Sequence, residues 1–520
     1  MTEITALLLI AATGFGIARR FGIPVIPFLL FGGITLSTFV SRDNAVDLQR
    51  ALELGLTFLV FASGIELNPQ RFGNQKKAVM CVGFVQFMAA GVLGFLVARA
   101  LGFDAKPALY LAFALSTSST LVVVRLLSQG RQMAEPFGRL VVGVLLFQDL
   151  LMILLIILIA RLPHGPIAVA YGVASTAVLG CLALASQRWF VPWFTLRRNL
   201  ESEILLLVIL AQLFFFTGLA NLLQLPTVAG AFAAGLALSS FPVNGVVRAL
   251  LSSLNDFFLA IFFTALGAFV GIPEDPVILI KGIVLGLVLI AISPPIVAAV
   301  AEHFGLSSRN AIEAGVLLAQ SSEFSLVLGI TGHITLGEIS RDVLATIAWV
   351  AAFTMTITPL LTNDRLTRLI LHFHPGRRRS RAPMDIKDHI LVLGFGTGGM
   401  WVIKPLIAAG HTVLVVDDDP VVIDHLNQAK IPCLRGDGSD IHLLEEAGIE
   451  RAKLVISSMR RPSEANTVLR FATKLPIIVR VFENRDAHEI SKRGGTPILN
   501  SDAAAVKFIE WFQKTGRATQ

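Results

Sequence analysis

Long apolar runs recur through the first part of this chain and leave it few possible architectures. Up to Leu371 they have lengths of roughly 17–25 residues and alternate with short polar breaks, which is the length that crosses a hydrocarbon core of about 30 Å as an α-helix. Hydrophobic residues make up 54% of the 520 residues and charged residues only 15%, whereas soluble proteins carry roughly 25% charged residues. The sequence therefore predicts a polytopic α-helical membrane protein and excludes collagen-like, coiled-coil and disordered chains.

About thirteen spans, an odd number, are predicted from these runs. Their centres lie near residues 12, 32, 56, 88, 117, 148, 176, 210, 233, 264, 287, 321 and 352. Lys and Arg concentrate in one set of alternate loops, which assigns those loops to the cytoplasm. With an odd number of spans, the N-terminus lies outside and the C-terminal tail lies inside. The first run has no basic start and precedes Arg19 and Arg20, so it is interpreted as a span and not as a signal peptide.

Net charge and cysteine content exclude several other classes of protein. The formal charge of +7 is explained by the basic cytoplasmic loops, so no nucleic-acid partner is predicted. Cys81, Cys181 and Cys433 are too few and too widely spaced for a disulfide scaffold or a cysteine-rich zinc module.

The pattern changes after Pro375, where a basic, proline-bounded stretch is followed by short β-rich runs alternating with amphipathic helical ones. We therefore divide the chain into a membrane domain at 1–371, a basic cytoplasmic linker at 372–386 and an α/β domain at 387–520.

Three polar features lie at membrane depth, where an ionisable group costs at least a few kcal/mol. Asp149 has apolar residues on both sides along its run, Ser116–Thr120 is an unbroken run of hydroxyls, and Gln320 to Glu323 places a carboxylate in another run. Asp149 is the best candidate for an ion or proton site. Helix back-bonding by the hydroxyls, and a purely structural role for Glu323, remain alternatives.

The order of these features along the chain predicts inverted repeats. The hydroxyl run lies in the fifth span, Asp149 in the sixth and the Gln320–Glu323 cluster in the twelfth. If spans 1–6 and 8–13 are repeats, the fifth and twelfth correspond, and the odd offset inverts one repeat relative to the other. Secondary transporters use such repeats, with interrupted helices that meet near the bilayer midplane. A carboxylate there that binds either a cation or a proton can perform antiport.

The membrane part resembles the monovalent cation:proton antiporter-2 family, most closely its Kef-type potassium efflux branch. The matching motifs are Gly64-Ile65-Glu66-Leu67, Ser118-Ser119-Thr120, Gln148-Asp149, Ala229–Gly235 and Gln320–Glu323. The resemblance implies a homodimer in a bacterial inner membrane, in which a core domain moves relative to a dimer domain. It also implies that Asp149 takes the exchanged cation or proton and that Gln148, Thr120, Ser119 and Ser118 shape the site. Gln320 and Glu323 are two further candidate transport residues.

A single carboxylate in the Gln148-Asp149 pair indicates electroneutral exchange, because electrogenic relatives carry two adjacent acids there. The chain departs from many relatives at Ser293, where they carry a Lys before proline. A cation that could pair with Asp149 in the empty site is therefore missing.

The α/β domain at 387–520, called the tail below, carries a glycine motif between a predicted strand and a predicted helix. Gly394, Gly396 and Gly399 follow the strand Ile390–Leu393, and Asp417 ends the next strand. Glycines and a helix N-terminus in this order accept a dinucleotide-type phosphate, and the acid can accept hydrogen bonds from a ribose. An empty or vestigial site remains an alternative. Six strands and their helices predict a complete doubly wound, Rossmann-like sheet.

Gly436-Asp437-Gly438-Ser439 resembles the motif of the RCK N-terminal (KTN) domains that regulate potassium channels and transporters. That resemblance implies that Asp437 lies near the adenosine end of a regulatory nucleotide, that two such domains pair, and that the second RCK subdomain is absent. The nucleotide is expected to be NAD(H) or AMP/ATP, because Asp417 favours a free 2′-hydroxyl. Glutathione also acts on the Kef branch, but no residues are assigned to it.

The sequence thus predicts a monovalent cation:proton antiporter, with potassium preferred and sodium as the main alternative. An RCK-gated potassium channel is disfavoured because no Thr-Val-Gly-Tyr-Gly filter occurs. A membrane oxidoreductase is disfavoured because the chain has no paired haem-type histidines, no flavin motif and no substrate domain beside the nucleotide fold. The chain is therefore not expected to be an enzyme.

Overall fold

The computed structural model describes most of the chain and divides it into two compact units. One unit contains Met1–Val300 and Glu313–Thr362, and the other contains Ala301–Ile312 and Asn363–Gln520. The described residues are 2–21, 25–38, 45–66, 75–129, 132–133, 136–191, 202–239, 243–271, 275–306, 308–362, 367, 370, 386–396, 400–459, 462–472, 475–499, 505 and 509. The predicted linker lies outside them except for Ile386, so the boundaries at 371 and 386 stay predictions.

The part of the chain before the tail is helical. Its helices are α1 (Thr2–Phe21), α2 (Val25–Ser37), α3 (Ala45–Glu66), α4 (Lys76–Ala100), α5 (Ala105–Leu115), α6 (Thr120–Gln129), α7 (Pro136–Arg161), α8 (Pro166–Ala185), α9 (Ser202–Leu222), α10 (Thr227–Ala237), α11 (Val243–Val270), α12 (Val277–His303), α13 (Ser308–Leu317), α14 (Glu323–Ile330) and α15 (Arg341–Leu361). In this part a short 3-10 turn covers Leu162–His164, and π-helical turns cover Ser186–Phe190 and Thr331–Thr335; a further 3-10 turn, Ile449–Arg451, lies in the C-terminal sheet domain.

Among the residues that the structure describes, eight helices are long and apolar enough to cross a membrane, and four further apolar helices are shorter. One of the eight covers α5 and α6 together with the break between them. Each predicted span centre falls on a helix or, for the fifth and twelfth spans, at a break between two helices. The polytopic helical architecture is therefore confirmed, whereas the number of spans stays a prediction.

Both hydroxyl-rich spans are interrupted helices. The fifth breaks between α5 and α6, and the twelfth breaks between α13 and α14. The Ser118 hydroxyl donates to the Leu318 carbonyl at 2.6 Å, and the Ser321 hydroxyl donates to the Ala114 carbonyl at 2.9 Å. Each break thus supplies hydrogen bonds to the backbone freed at the other, which is the condition for non-helical backbone at membrane depth.

The bonds at the two breaks repeat in the two halves of the membrane part. In the first half the Ser118 amide donates to the Gln148 side chain at 3.3 Å, and in the second the Ser321 amide donates to the Thr354 hydroxyl at 3.0 Å. In both cases the donor is in the break and the acceptor lies one predicted span later. This correspondence agrees with the inverted repeats expected from the sequence. Thr354 in the second half occupies the position equivalent to Gln148 in the first.

Two glycine pairs fix how closely the helices approach. A Cβ added at Gly64 would lie 2.4 Å from the Phe232 carbonyl and 3.0 Å from the Gly235 Cα. A Cβ at Gly33 would lie 2.9 Å from the Gly267 Cα. These contacts join α3 to α10 and α2 to α11, so the glycines of the Gly64 and Gly235 motifs are required for tight helix packing.

The tail is a parallel six-stranded sheet in the order β3-β2-β1-β4-β5-β6. Its strands are β1 (Ile390–Leu393), β2 (Val413–Asp417), β3 (Cys433–Arg435), β4 (Leu454–Ser457), β5 (Ile477–Val481) and β6 (Thr496–Leu499). Its helices are α16 (Met400–Ala408), α17 (Pro420–Gln428), α18 (Ile441–Glu446), α19 (Pro462–Phe471) and α20 (Asn484–Lys492). β1 and β2 are buried throughout, as expected for central strands with both faces covered. The doubly wound sheet predicted from the sequence is confirmed.

Candidate functional site

Asp149 lies in the middle of α7 and is fully buried. One carboxylate oxygen, Oδ2, accepts hydrogen bonds from the Ser63 hydroxyl at 2.8 Å and the Thr120 hydroxyl at 2.9 Å. The other oxygen, Oδ1, has no hydrogen-bond partner in the part of the chain that the structure describes. A buried carboxylate must be neutralised by a proton or a cation. Oδ1 is therefore the atom of this carboxylate with open acceptor capacity.

Glu323 is a second buried carboxylate beside this position. It is the first residue of α14, and its carboxylate interacts with the Ser119 side chain and the Leu121 backbone at the start of α6. It also interacts electrostatically with Asp149. The partial positive charge at the N-terminus of α6 favours a negative group there. The site therefore contains two neighbouring carboxylates, whereas the expectation of electroneutral exchange considered Asp149 alone.

Gln148 supports the site without a hydrogen bond to Asp149. Its Nε2 donates to Gln86 Oε1 at 3.1 Å and to the Gly83 carbonyl at 3.4 Å, while its Oε1 accepts from the Ser118 amide. Gln86 in turn donates to the Leu318 carbonyl at 3.0 Å. The two glutamines thus tie α4 and α7 to both helix breaks.

The remaining predicted residues divide by what their side chains contact. The Ser118 hydroxyl bonds the opposite helix break, and the Ser119 hydroxyl accepts from the Val122 amide at 3.4 Å. Gln320 donates to the Leu317 carbonyl at 3.0 Å, and its Oε1 has no partner among the described residues. The structure therefore brings Thr120 directly to Asp149, Ser119 to Glu323, and Ser118 to the scaffold.

Three residues of this constellation were not predicted from the sequence. Ser63 and Gln86 form the bonds described above, and Glu66, the last residue of α3, interacts electrostatically with both Asp149 and Glu323. The Gly64–Leu67 motif pointed to the end of α3, and the three-residue spacing of Ser63 and Glu66 puts both on one helix face. Gln86 was the only amide in its apolar run, which was the signal for it.

Ser293 lies on α12, next to two prolines, and is 1% exposed. Its hydroxyl has no hydrogen-bond partner within the described residues. No ion pair reaches Asp149 from a Lys or Arg of the described segments. The position where many relatives carry a Lys therefore supplies no positive charge here.

In the tail, the glycine motif turns sharply at the carboxyl end of β1. Gly394 and Gly396 have φ angles of +73° and +53°, which strongly favour glycine over residues with a Cβ. Gly399 lies outside the described residues.

Asp417, at the end of β2, is 5% exposed and points into this turn. Its Oδ2 accepts hydrogen bonds from the Phe395 amide at 2.6 Å and the Gly396 amide at 2.9 Å, and its Oδ1 accepts from the Asp419 amide at 2.8 Å. The carboxylate therefore stabilises the glycine turn itself.

Asp437 follows β3, and its Oδ1 accepts from the Ser439 amide and hydroxyl, both at 2.8 Å. Because β1, β2 and β3 are parallel, Gly394, Asp417 and Asp437 all lie at the carboxyl edge of one sheet. That edge is where doubly wound α/β folds bind their ligands.

Two protein families match the chain. A family described as "Sodium/hydrogen exchanger, transmembrane" matches residues 5–363, and the TrkA-N domain matches residues 390–501. The first match covers well over half of the chain, and the second covers the parallel sheet.

Relatives described as "Glutathione-regulated potassium-efflux system protein KefC" match along most of the chain. The protein from Klebsiella pneumoniae subsp. pneumoniae is 27% identical over 538 residues, which cover 100% of this chain and 84% of that one. The protein from Cronobacter sakazakii is 29% identical over 469 residues, which cover 87% of this chain and 74% of that one.

A solved structure shares the fold of the membrane part. The sodium proton antiporter MjNhaP1 from Methanocaldococcus jannaschii, at pH 8, aligns with a TM-score of 0.57 and 14% identity, covering 71% of this chain and 98% of that one. At this identity the likeness concerns the fold alone.

Proposed function

The chain belongs to the sodium/hydrogen exchanger family, and on that premise we propose that it exchanges potassium for protons at Asp149. It is a multi-pass membrane transporter and not an enzyme, with monovalent cation:proton antiport as its activity and a TrkA-N domain at its C-terminus. The identity of the ion, the shared carboxylate, the coupling mechanism and the nucleotide regulation are the parts that we propose.

The observation that carries the proposal is the environment of the Asp149 carboxylate. Oδ2 accepts two hydroxyl hydrogen bonds, whereas Oδ1 has no hydrogen-bond partner among the described residues. Burial makes the bare anion costly, so a proton and a cation stabilise the same group and exclude each other. Hydroxyl oxygens of Thr120 and Ser63 are suitable ligands for a monovalent cation, although here their hydrogens point to Asp149. Each hydroxyl oxygen keeps two lone pairs while it donates, so it can coordinate a cation without giving up its hydrogen bond to Asp149.

Potassium is preferred over sodium because two relatives that span most of this chain are described as potassium-efflux proteins. Sodium is the second candidate. The residues at the site do not discriminate between the two ions, since carboxylate and hydroxyl oxygens accept both. Potassium efflux is therefore the proposed direction of cation movement.

Electroneutral exchange requires that Asp149 alone changes its proton during the cycle. The two carboxylates then differ in role, with Glu323 keeping one protonation state while Asp149 exchanges. If Glu323 also released its proton, exchange would move net charge. Glu323→Gln separates these cases, because it fixes a neutral group of similar shape at the start of α14.

Alternating access is proposed to use the two interrupted helices. Their breaks lie beside Asp149 and Glu323 and exchange hydrogen bonds, and matching contacts occur in the two halves. A rigid movement of this core carries the occupied carboxylate from one side to the other. The proposed assembly is a homodimer in a bacterial inner membrane, with the N-terminus outside and the TrkA-N domain in the cytoplasm.

The TrkA-N domain is proposed to bind a regulatory nucleotide, NAD(H) or AMP/ATP, at the glycine turn and Asp437. The positive φ angles of Gly394 and Gly396, and their place at the carboxyl edge of β1, support this site. Binding can shift transport only as far as the nucleotide prefers one state of the protein.

The proposed exchange is tested with purified protein in liposomes that contain a trapped pH dye. A potassium gradient is expected to drive proton movement in the opposite direction, and clamping the membrane potential is expected to leave its rate unchanged. A response to sodium alone would replace the ion and keep the site. Cation flux without proton movement would contradict antiport. Clamp-sensitive flux that becomes insensitive in Glu323→Gln would assign the second charge to Glu323.

A further inference from the structure

A short segment distant in sequence is packed into the same compact unit as the tail. Ala301–Ile312 joins α12 to α13, yet it groups with Asn363–Gln520. Within this unit, Arg309 is only 9% exposed. A long, charged side chain is rarely buried without partners, so its contacts indicate what holds it there.

Arg309 is held by acceptors at the carboxyl edge of the sheet. Its Nη1 lies 3.2 Å from Asp437 Oδ2, 2.5 Å from the Ser439 hydroxyl and 3.9 Å from Glu464 Oε1. Two carboxylates and a hydroxyl thus surround one guanidinium. Because the site is largely buried, removing one partner would leave an uncompensated charge, which costs more than the loss of a surface ion pair.

Two further contacts fix the segment at the same edge. The Asn310 side chain donates to Asp418, the residue after Asp417. Arg435, at the end of β3, donates to the Gly305 carbonyl. The segment therefore contacts the chain directly after β2 and β3, which are the strands that flank the proposed nucleotide site.

Arg309 uses the acceptor atoms that a nucleotide would need. A ribose hydroxyl or an adenine amino group would donate to the Asp437 carboxylate, and Arg309 already donates there. The two donors would compete for the Asp437 carboxylate, whose side chain is 19% exposed while it contacts Arg309. On the premise of the proposed nucleotide site, we propose that Arg309 is a built-in competitor, and that a bound nucleotide releases Ala301–Ile312 from the sheet.

Release of Ala301–Ile312 can affect transport because this segment is continuous with a helix that leads to the proposed ion site. Ala301–Ile312 runs into α13, which ends at Leu317, directly before the break that leads to Glu323. A nucleotide that binds only after release of the segment favours the released state, and that preference is the coupling free energy.

The test is the affinity of the full-length purified protein for AMP and for NAD⁺, each measured by calorimetry. Arg309→Ala is expected to bind the effective nucleotide at least about tenfold more tightly, because a charge-assisted contact no longer has to be broken. Arg309→Lys keeps the charge and loses the fork of donors, so its nucleotide affinity is expected to lie between those of the wild type and Arg309→Ala. Arg493→Ala, which removes the same charge from a surface pair with Glu489, is the matched control and should not change the affinity.

The expected companion result is faster hydrogen exchange in Ala301–Ile312 when wild-type protein binds nucleotide. Unchanged or weaker affinity in Arg309→Ala would overturn the competition while leaving the nucleotide site in place. Failure of wild type and Arg309→Ala alike to bind either nucleotide would overturn the nucleotide site as well. The two proposals thus fail in different ways.

Discussion

Replacing Asp149 by Asn is expected to reduce cation-driven proton exchange to the background of empty liposomes. An amide neither ionises nor releases a proton, so neither half of the exchange can take place. Its oxygen can still accept the hydrogen bonds from Ser63 and Thr120, so the helix packing around the site should be kept. The measurement is the initial rate of dye response to a potassium or sodium gradient.

The matched control is Asp104→Asn, the same change at an exposed acid just before α5. It is expected to transport at the wild-type rate. Equal elution volume and thermal stability of the two variants would show that the loss in Asp149→Asn is not a folding defect. Exchange by Asp149→Asn at near the wild-type rate would mean that another group, with Glu323 as the first candidate, carries the ion.

Replacing Asp417 by Ala is expected to unfold the glycine turn of the TrkA-N domain locally. Three backbone amides, those of Phe395, Gly396 and Asp419, lose a charged acceptor. Hydrogen bonds to charged groups contribute roughly 1.5–3 kcal/mol each, so the expected cost is several kcal/mol. Hydrogen exchange of the Phe395 and Gly396 amides should become much faster, and nucleotide affinity should fall with it.

Asp424→Ala is the control for this change, since Asp424 is an exposed acid on α17. It should leave exchange at the glycine turn and nucleotide affinity unaltered. If Asp417→Ala instead keeps the protection of the Phe395 and Gly396 amides and loses only nucleotide affinity, the carboxylate acts mainly on the ribose. Unregulated transport by Asp417→Ala is expected to stay near the wild-type level, because the transport residues are outside the tail.

The main polar features of the candidate ion site could be predicted because they conflict with their surroundings. A carboxylate such as Asp149, or five adjacent hydroxyls, is costly in an apolar run, and that cost marks a function. The signals at Ser63 and Gln86 are weaker, because a neutral side chain costs much less than a carboxylate in an apolar run. A single Ser or Gln is common in membrane helices, and only the long-range contacts to Asp149 and Leu318 give them their roles.

In the tail, alternation of strands and helices with a glycine turn was enough to predict the sheet. The direction of the Asp417 side chain was not predictable, because the same acid can bond a ribose or the turn itself. The docking of Arg309 was not predictable either, since it joins residues far apart in sequence.

In the membrane part, the place of the Glu323 carboxylate beside Asp149 was not predictable from the sequence. It follows only from the packing of α14 beside α6.

The central claim is that one carboxylate binds either a proton or a cation. The most direct test is to titrate potassium into the purified wild-type protein in a weakly buffered solution and to measure the protons released. We expect one proton released per cation bound, weaker cation binding as the pH falls, and no release from Asp149→Asn. Cation binding without proton release, or the same release from Asp149→Asn, would contradict it.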